Sequence, residues 1–436
     1  MSGEMRFLSL CSGAGGLDLG LEMAGWQCLA QIEIDRDCCA TLQVQSDLME
    51  NGPRVIHAPL EAVDPREMRF SLGLARGELE LIAGGPPCQP FTTHGLRQTL
   101  SDHRAGAVFP SYINFIREFE PQTVLIENVD GFLSAALEHV ALVDRQNRPL
   151  RRREMKGSFL EWVLKELDSI GYSVSWGVAE AADYGVPQFR QRAILIGTRR
   201  SQPCHLPDRL IDRAVTVREG LASVRNPGPV QPLSARKRAI YSLIPPGGNW
   251  RSLPVEVQRE TMGRAFYATG GKSGWWRRLA WDAPSPTILG MPDHSSTGLI
   301  HPDEVRCLGL NECAALQSFP ADTPFQGSAR SQYQQVGNAV PPLLGTAIGR
   351  TLLHHLEGSL SDAPSSPNWR SESANRRIGT HGWMLRQGNR AQVTMNAKVR
   401  PDHVWAFDDG GFSVSDLTGT TSARGCVARE LQRRAS

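Results

Sequence analysis

The stretch "LSLCSGAGGLDLGLEMAGW", residues 8–26, decides the fold. A short apolar run leads into Gly13, Gly15 and Gly16, and a segment with helical spacing follows at 17–26. This reads as strand, tight turn, helix. Glycine lets the backbone turn sharply and approach a ligand closely. The next apolar run, "CLAQIEI" (28–34), carries Glu33, 17 residues beyond Gly16. A carboxylate at the end of a second strand is placed to bind ribose hydroxyls. The pair points to a nucleoside-containing cofactor and leaves open a dinucleotide or S-adenosylmethionine. The spacing is G-x-G-G, not G-x-G-x-x-G, which counts against NAD.

Working outward, the first 200 residues keep alternating. "RFLSL", "CLAQIEI", "LELIAG", "TVLIENV", "YSVSWGV" and "RAILIGT" read as strands; "LDLGLEMAGW", "YINFIREFE" and "FLEWVLKELDSIG" read as helices. Strand–helix alternation predicts an α/β fold with a doubly wound, mostly parallel sheet, whose ligands bind at the carboxyl ends of the strands. The expected domains are a catalytic and cofactor-binding unit at 1–200, a small loop-rich unit at 201–290, a return to the first at 291–358, and a poorly ordered extension at 359–436. From residue 201 the chain is rich in Pro, Gly, Arg and Trp, as in "SLIPPGGNWRSLP" and "TGGKSGWWRRLAWDAPSPT".

The net charge of +2 conceals an uneven distribution. Residues 201–290 hold 13 Lys/Arg against 6 Asp/Glu, whereas residues 1–200 hold 20 against 26. A local basic segment on a near-neutral chain suits a polyanion-binding module. No apolar run is long enough to span a membrane. The start of the chain does not read as a secretory signal. The nine cysteines are scattered without CxxC or zinc spacing, so free thiols, a reducing cytoplasm and no metal are expected.

Four further stretches carry chemistry. "GGPPCQPFTTHG" (84–95) sets Cys88 among Pro86, Pro87 and Pro90, directly after a strand. A core cysteine needs no such rigid frame; a nucleophile whose angle of attack matters does. "TVLIENVDG" (123–131) ends another strand with Glu127 and Asn128, on the same sheet edge as Cys88 and Glu33. In "DYGVPQFRQRAILIG" (183–197), Gln188, Arg190 and Arg192 alternate, so an extended segment turns them to one side, as for an anion or a carbonyl. "YQQVGNAVPP" (333–342) makes a turn before a last amphipathic helix.

Together these segments resemble the DNA cytosine-5 methyltransferase family, in order, over roughly residues 5–355. "CSGAGGLDLG" is similar to the motif that holds S-adenosylmethionine, "GGPPCQPFT" to the catalytic motif, "ENV" to the motif of the catalytic glutamate, and "QFRQR" to Q-x-R-x-R. "LNECAALQSFP" and "QQVGNAVPP" are similar to the ninth and tenth motifs, the tenth returning to the cofactor. The resemblance implies methyl transfer from S-adenosylmethionine to C5 of cytosine in a short sequence of double-stranded DNA. The target base would be flipped out and Cys88 joined covalently to C6. It implies Glu127 on the base edge, Asn128, Gln188, Arg190 and Arg192 around it, and a cofactor site of Cys11, Ser12, Gly13, Ala14, Gly15, Gly16, Leu17, Glu33, Ile34, Pro87, Val108, Asn338, Ala339 and Val340. "TTHGLRQTLSDHRAG" (92–106) resembles the loop that closes on DNA, with Arg97 and Arg104 toward phosphates. Residues 201–290 take the place of the target-recognition domain, with Lys272, Arg277 and Arg278 toward DNA. A cytoplasmic monomer, held at the nucleoid through DNA and serving a restriction–modification system beside a separate endonuclease, is the implied setting.

The sequence departs from the family pattern at three places. Cys11 and Ile34 stand where the family usually has aromatics against adenine, and the acidic residue after the third strand has only Glu61 or Asp64 as counterparts. An RNA cytosine-5 methyltransferase, as in the tRNA-acting branch, is the alternative; its central segment is small, while this one is long and basic. An NAD-dependent oxidoreductase would give "ENV" and "QFRQR" no role.

Overall fold

In a computed structural model, the opening stretch forms strand β1 (Met5–Leu10), a turn, and helix α1 (Gly16–Met23). The structure describes residues 5–87, 108–138, 140, 144, 148–204, 206, 209–268 and 274–358, and the backbone of 368–370. Seven further strands follow: β2 (Trp26–Glu33), β3 (Arg54–His57), β4 (Leu81–Gly84), β5 (Thr123–Asn128), β6 (Ser173–Glu180), β7 (Gln191–Thr198) and β8 (Asn368–Arg370). They lie in one sheet in the order β3-β2-β1-β4-β5-β7-β6-β8.

The five strands from β3 to β5 run parallel, with β4 and β5 wholly buried and β3 a half-exposed edge. β7 is the exception. It slots antiparallel between β5 and β6, pairing Glu127 with Ile194 and Asn128 with Ala193. The sheet is therefore mostly parallel. The short β8 adds a parallel partner to β6 at the edge. Strand order reverses between β1 and β4, which is where doubly wound sheets open a crevice at their carboxyl ends.

Helices α2 (Arg36–Asp47), α3 (Pro65–Ser71), α4 (Val108–Phe119) and α5 (Ser158–Ser169) complete the alternation. On one face, α4 buries Phe109, Tyr112, Ile113, Ile116 and Phe119, spaced by three and four, into a core shared with Phe159 and Val163 of α5. Among the described residues, no helix is long and apolar enough to cross a membrane, and no group of His, Cys, Asp or Glu is arranged to hold a metal.

A second lobe follows β7, with α6 (Val217–Leu221), α7 (Ala235–Ser242), α8 (Val255–Met262) and α9 (Arg264–Tyr267). Its core of Ile240, Tyr241, Ile244, Trp250, Leu253, Val257 and Trp276 also takes Ile300 and Cys307, beyond position 290. The chain then returns through α10 (Leu310–Leu316), α11 (Ala329–Asn338) and α12 (Pro342–Glu357). α12 packs on α1 across the other face of the sheet. The two helices touch backbone to backbone: a Cβ on Gly20 would lie 2.4 Å from the Pro342 carbonyl and 2.6 Å from Cα of Gly345.

Candidate active site

The turn after β1 is held by one carboxylate. Glu33, at the end of β2, accepts from Gly13 N at 2.7 Å through Oε2, and from Ile34 N and Asp35 N at 2.8 Å each through Oε1. Three donors leave a lone pair for a further hydroxyl. Gly13 and Gly15 sit at φ 57° and 77°, where a side chain is strained. Cys11 shares that geometry at φ 57°. A Cβ on Gly13 would meet nothing within 4 Å, so the tip of the turn faces open space.

Below the turn lies a network that sequence reading missed. Asp18, buried in the first turn of α1, accepts from Ser9 Oγ at 2.7 Å and Gln31 Nε2 at 2.8 Å. Ser9 Oγ also meets Ser12 Oγ at 2.8 Å, which ties the network to the turn itself. Burial pushes Asp18 up to about 6, against the pull of those two hydrogen bonds. The only signal in the sequence was a charged residue beside Leu17 on the helix arc that faces the sheet.

Residues far along the chain close the turn from the other side. A Cβ on Gly16 would lie 2.3 Å from the Val340 carbonyl and 3.1 Å from Cβ of Ala339, so only glycine fits. Ala339 and Val340 are buried, and Asn338 is exposed at the end of α11. Ala14 and Leu17 are buried in two different cores, and Val108 is buried at the start of α4. Ile34 is 63% exposed, an apolar side chain left at the rim. Burial pushes the Cys11 thiol well up, with Glu33 and then Glu61 adding to the effect. Asp64 is spent as the cap of α3, accepting from Arg66 N and Glu67 N.

The neighbouring strand ends bring a second set together. Glu127 is buried, and its Oε1 lies 2.7 Å from Nε of Arg192. Burial raises the Glu127 pKa, and Arg192 and Arg190 only partly offset it. Gly85 lies against the same carboxylate: a Cβ there would stand 3.1 Å from Glu127 Oε2. Asn128 Nδ2 donates to the Pro86 carbonyl at 3.0 Å, clamping the backbone two residues before Cys88 and next to Pro87. Cys88, Arg97, Arg104 and Lys272 lie outside the described residues.

Gln188, Arg190 and Arg192 do not act as one row. Arg192 forms the ion pair with Glu127. Arg190 is fully buried; its Nη1 donates to the Ile288 carbonyl at 3.1 Å and its Nη2 to the Gly337 carbonyl at 2.8 Å. Its backbone N donates to the buried carboxyl of Glu180. Gln188 donates to Leu316 O and Gln317 Oε1 and accepts from Ile288 N. These two side chains fasten the strand-end site to the segments at 285–288, 316–317 and 337. The physical reason is that they precede β7 and meet a loop carbonyl at Ile288 and the C-terminal carbonyls of α10 and α11, which lack partners within their helices.

In the second lobe, Arg278 is buried with its guanidinium spent on carbonyls: Ile244 at 2.9 Å, Pro302 at 2.5 Å and His301 at 3.4 Å. That is an internal brace, so the expected contact with DNA does not suit this side chain. Arg277, one residue earlier, is partly exposed.

The family model for the C-5 cytosine-specific DNA methylase matches residues 5–354. The chain is 34% identical over 358 residues to the type II methyltransferase M.Sau96I of Staphylococcus aureus, covering 79% of this chain and 75% of that one. It is 35% identical over 379 residues to the type II methyltransferase M.PspPI of Psychrobacter sp. (strain TA137), covering 83% and 82%. Among solved structures, the Entamoeba histolytica methyltransferase EhMeth shares the fold, with a TM-score of 0.54 at 15% identity, over 81% of this chain and 99% of that one. With its sheet, its ordered strand-end residues and a match over most of its length, the chain belongs to the C-5 cytosine-specific DNA methylase family.

Proposed function

We propose that this cytosine-5 methyltransferase acts on a short sequence of double-stranded DNA, through a covalent bond from Cys88 to a flipped-out cytosine, within a restriction–modification system. The observation that carries the reading is the buried pair of Glu127 and Arg192 beside Gly85, with Asn128 holding Pro86 two residues before the nucleophile's position. The likeness to two type II methyltransferases supports the setting.

The residues present fit S-adenosylmethionine. Gly13 leaves room at the turn, Glu33 keeps a lone pair for a ribose hydroxyl, Ile34 offers an apolar rim, and Gly16 lets Val340 close in. When bound, S-adenosylmethionine supplies an electrophilic methyl group. Cytosine C5 is a poor nucleophile until the ring is activated. The Cys88 thiolate adds to C6, the C5–C6 π electrons move toward C5 and N3, and the ring becomes enamine-like. Glu127, whose burial favours the protonated carboxyl, donates to N3 as charge grows there. Arg192 fixes the carboxyl's direction. As C5 is methylated, N3 returns its proton to Glu127; the C5 proton then passes to water and the C6–S bond breaks, which restores the ring and frees Cys88. A base inside a duplex cannot present C6 to a thiol, so it must leave the stack.

The test uses purified protein, S-adenosylmethionine and unmethylated genomic DNA, read by conversion sequencing at base resolution. Methylation of cytosine at every copy of one short motif is the expected result. Signal on RNA and none on DNA would overturn the choice of substrate.

A further inference from the structure

The second lobe keeps one partly buried guanidinium that no described residue pairs. Arg236 meets Glu260 at 3.3 Å, Lys237 meets Asp293 at 2.8 Å, Arg213 meets Glu219 at 2.5 Å and Arg218 meets Asp282 at 3.2 Å. Arg225, Arg238 and Arg264 are exposed, where water solvates them. Arg277 has neither arrangement. Its Nε is buried without an acceptor, and burial lowers its pKa to about 10. Arg277 is half-buried with an Nε that has no acceptor, so its guanidinium is placed to take one from outside the fold.

Two more donors in the same corner lack acceptors. Tyr241 Oη and Trp276 Nε1 are buried and unpartnered, on side chains 0% and 5% exposed, with rings 5.2 Å apart edge to face. Two glycines keep the corner clear: a Cβ on Gly298 would stand 2.6 Å from Tyr241 Oη, and one on Gly274 would stand 3.8 Å from Arg277 Nη1. The backbone there is fixed and strained. Trp276 sits at φ 47°, its N donates to Ser295 O at 2.8 Å, and Arg278 N donates to Gly248 O at 3.0 Å. A bulky residue persists at positive φ only where its surroundings over-determine it, and such places cluster at ligand sites.

Resting on the reading of DNA as substrate, we propose that Arg277 is a specificity-determining residue that reads the O6 and N7 edge of one guanine in the target. The chemistry selects that edge. A guanidinium offers donors only, in a planar fork; guanine presents two acceptors side by side in the major groove, while adenine and cytosine each present a donor there. A stem pinned between Trp276 and Arg278 suits a base edge, which needs one fixed direction. Phosphates carry no sequence information and can be met from many directions.

The experiment takes wild-type protein and duplexes of its own target in which each guanine in turn is replaced by 7-deazaguanine. Wild type should lose roughly tenfold or more in kcat/KM at one guanine. Arg277→Met, which keeps a long apolar stem and loses every donor, should be insensitive to that replacement and should accept other base pairs at that position. An unchanged melting temperature and unchanged S-adenosylmethionine binding would show that the variant is folded. Indifference of wild type to every replacement would overturn the proposal, and this arm needs no variant. Equal slowing of Arg277→Met on all sequences would also overturn it, and would mark a phosphate or structural contact. Wild type silent on all DNA would instead bring down the substrate reading on which the proposal rests, before any substitution is compared.

Discussion

Glu127 and Arg192 sit 2.7 Å apart across the β5–β7 pair, and the carboxyl is still pushed above its ordinary pKa because burial outweighs the arginine. The antiparallel insertion of β7 is what makes this contact. Glu127 pairs in register with Ile194, so Arg192, two residues earlier on β7, projects beside the carboxyl.

A carboxyl with a raised pKa holds its proton at low pH and loses it as pH rises through that pKa. The kcat of wild type should therefore fall on the alkaline side as Glu127 ionises. Glu127→Gln should lower kcat by about 10²–10⁴ and flatten that limb. Arg192→Met removes a charge that lowers the Glu127 pKa, so its limb should shift to higher pH. A pH profile of kcat for the three proteins checks all of this.

Gly13 and Gly16 should respond differently to alanine. At Gly13 there is open space and the cost is the left-handed backbone, about 1–2 kcal/mol of stability. At Gly16 the new Cβ meets the Val340 carbonyl at 2.3 Å, so the two sides of the turn must part. Gly16→Ala should raise the KM for S-adenosylmethionine tenfold or more, against a smaller rise for Gly13→Ala. Isothermal titration with the methyl donor separates the two.

Arg278→Ala should destabilise by roughly 3 kcal/mol or more, because it strands three buried carbonyls. The variant that stays folded at low temperature should keep wild-type sequence preference. Chemical denaturation and base-resolution methylation mapping measure the two halves of this prediction.

Asp18 gives a stability test with a defined sign. Its folded pKa of about 6 is above the ordinary 3.8, so the folded state binds the proton more tightly. The stabilisation is present below pH 4 and is lost as pH rises through 6, a change of roughly 3 kcal/mol. Asp18→Asn has no proton to lose, and Gln31, whose Oε1 lacks a partner, can turn its amide to accept from the new side chain. Unfolding free energies between pH 4 and 7 should therefore decline less in the variant than in wild type.

The strand ends were legible in the sequence because each apolar run stops at a residue with chemistry: Glu33 on β2, Glu127 and Asn128 on β5. The direction of β7 was not legible, since a run of Ile and Leu buried on both faces reads the same either way. Alternation suggested one face for Gln188, Arg190 and Arg192. The first two lie outside the strand, and their partners, Ile288, Leu316, Gln317 and Gly337, are about 100 to 150 residues away. Composition could not separate Arg277 from Arg278, because whether a guanidinium meets carbonyls, as Arg278 does, or none, as Arg277 does, depends on the fold of the lobe around them. Asp18 escaped because an acidic residue in a first helical turn looks like an ordinary surface choice.

The central claim is that this strand-end site works by a covalent bond to the base. The most direct measurement uses a duplex carrying the target with 5-fluorocytosine at the methylated position, together with S-adenosylmethionine. Fluorine cannot leave C5 as the proton does, so the C6–S bond cannot be released. The account predicts a denaturation-resistant protein–DNA adduct, mapped by mass spectrometry to the peptide containing Cys88 and absent in Cys88→Ser. Full methylation by wild type without any such adduct, or methylation by Cys88→Ser at the wild-type rate, would contradict it.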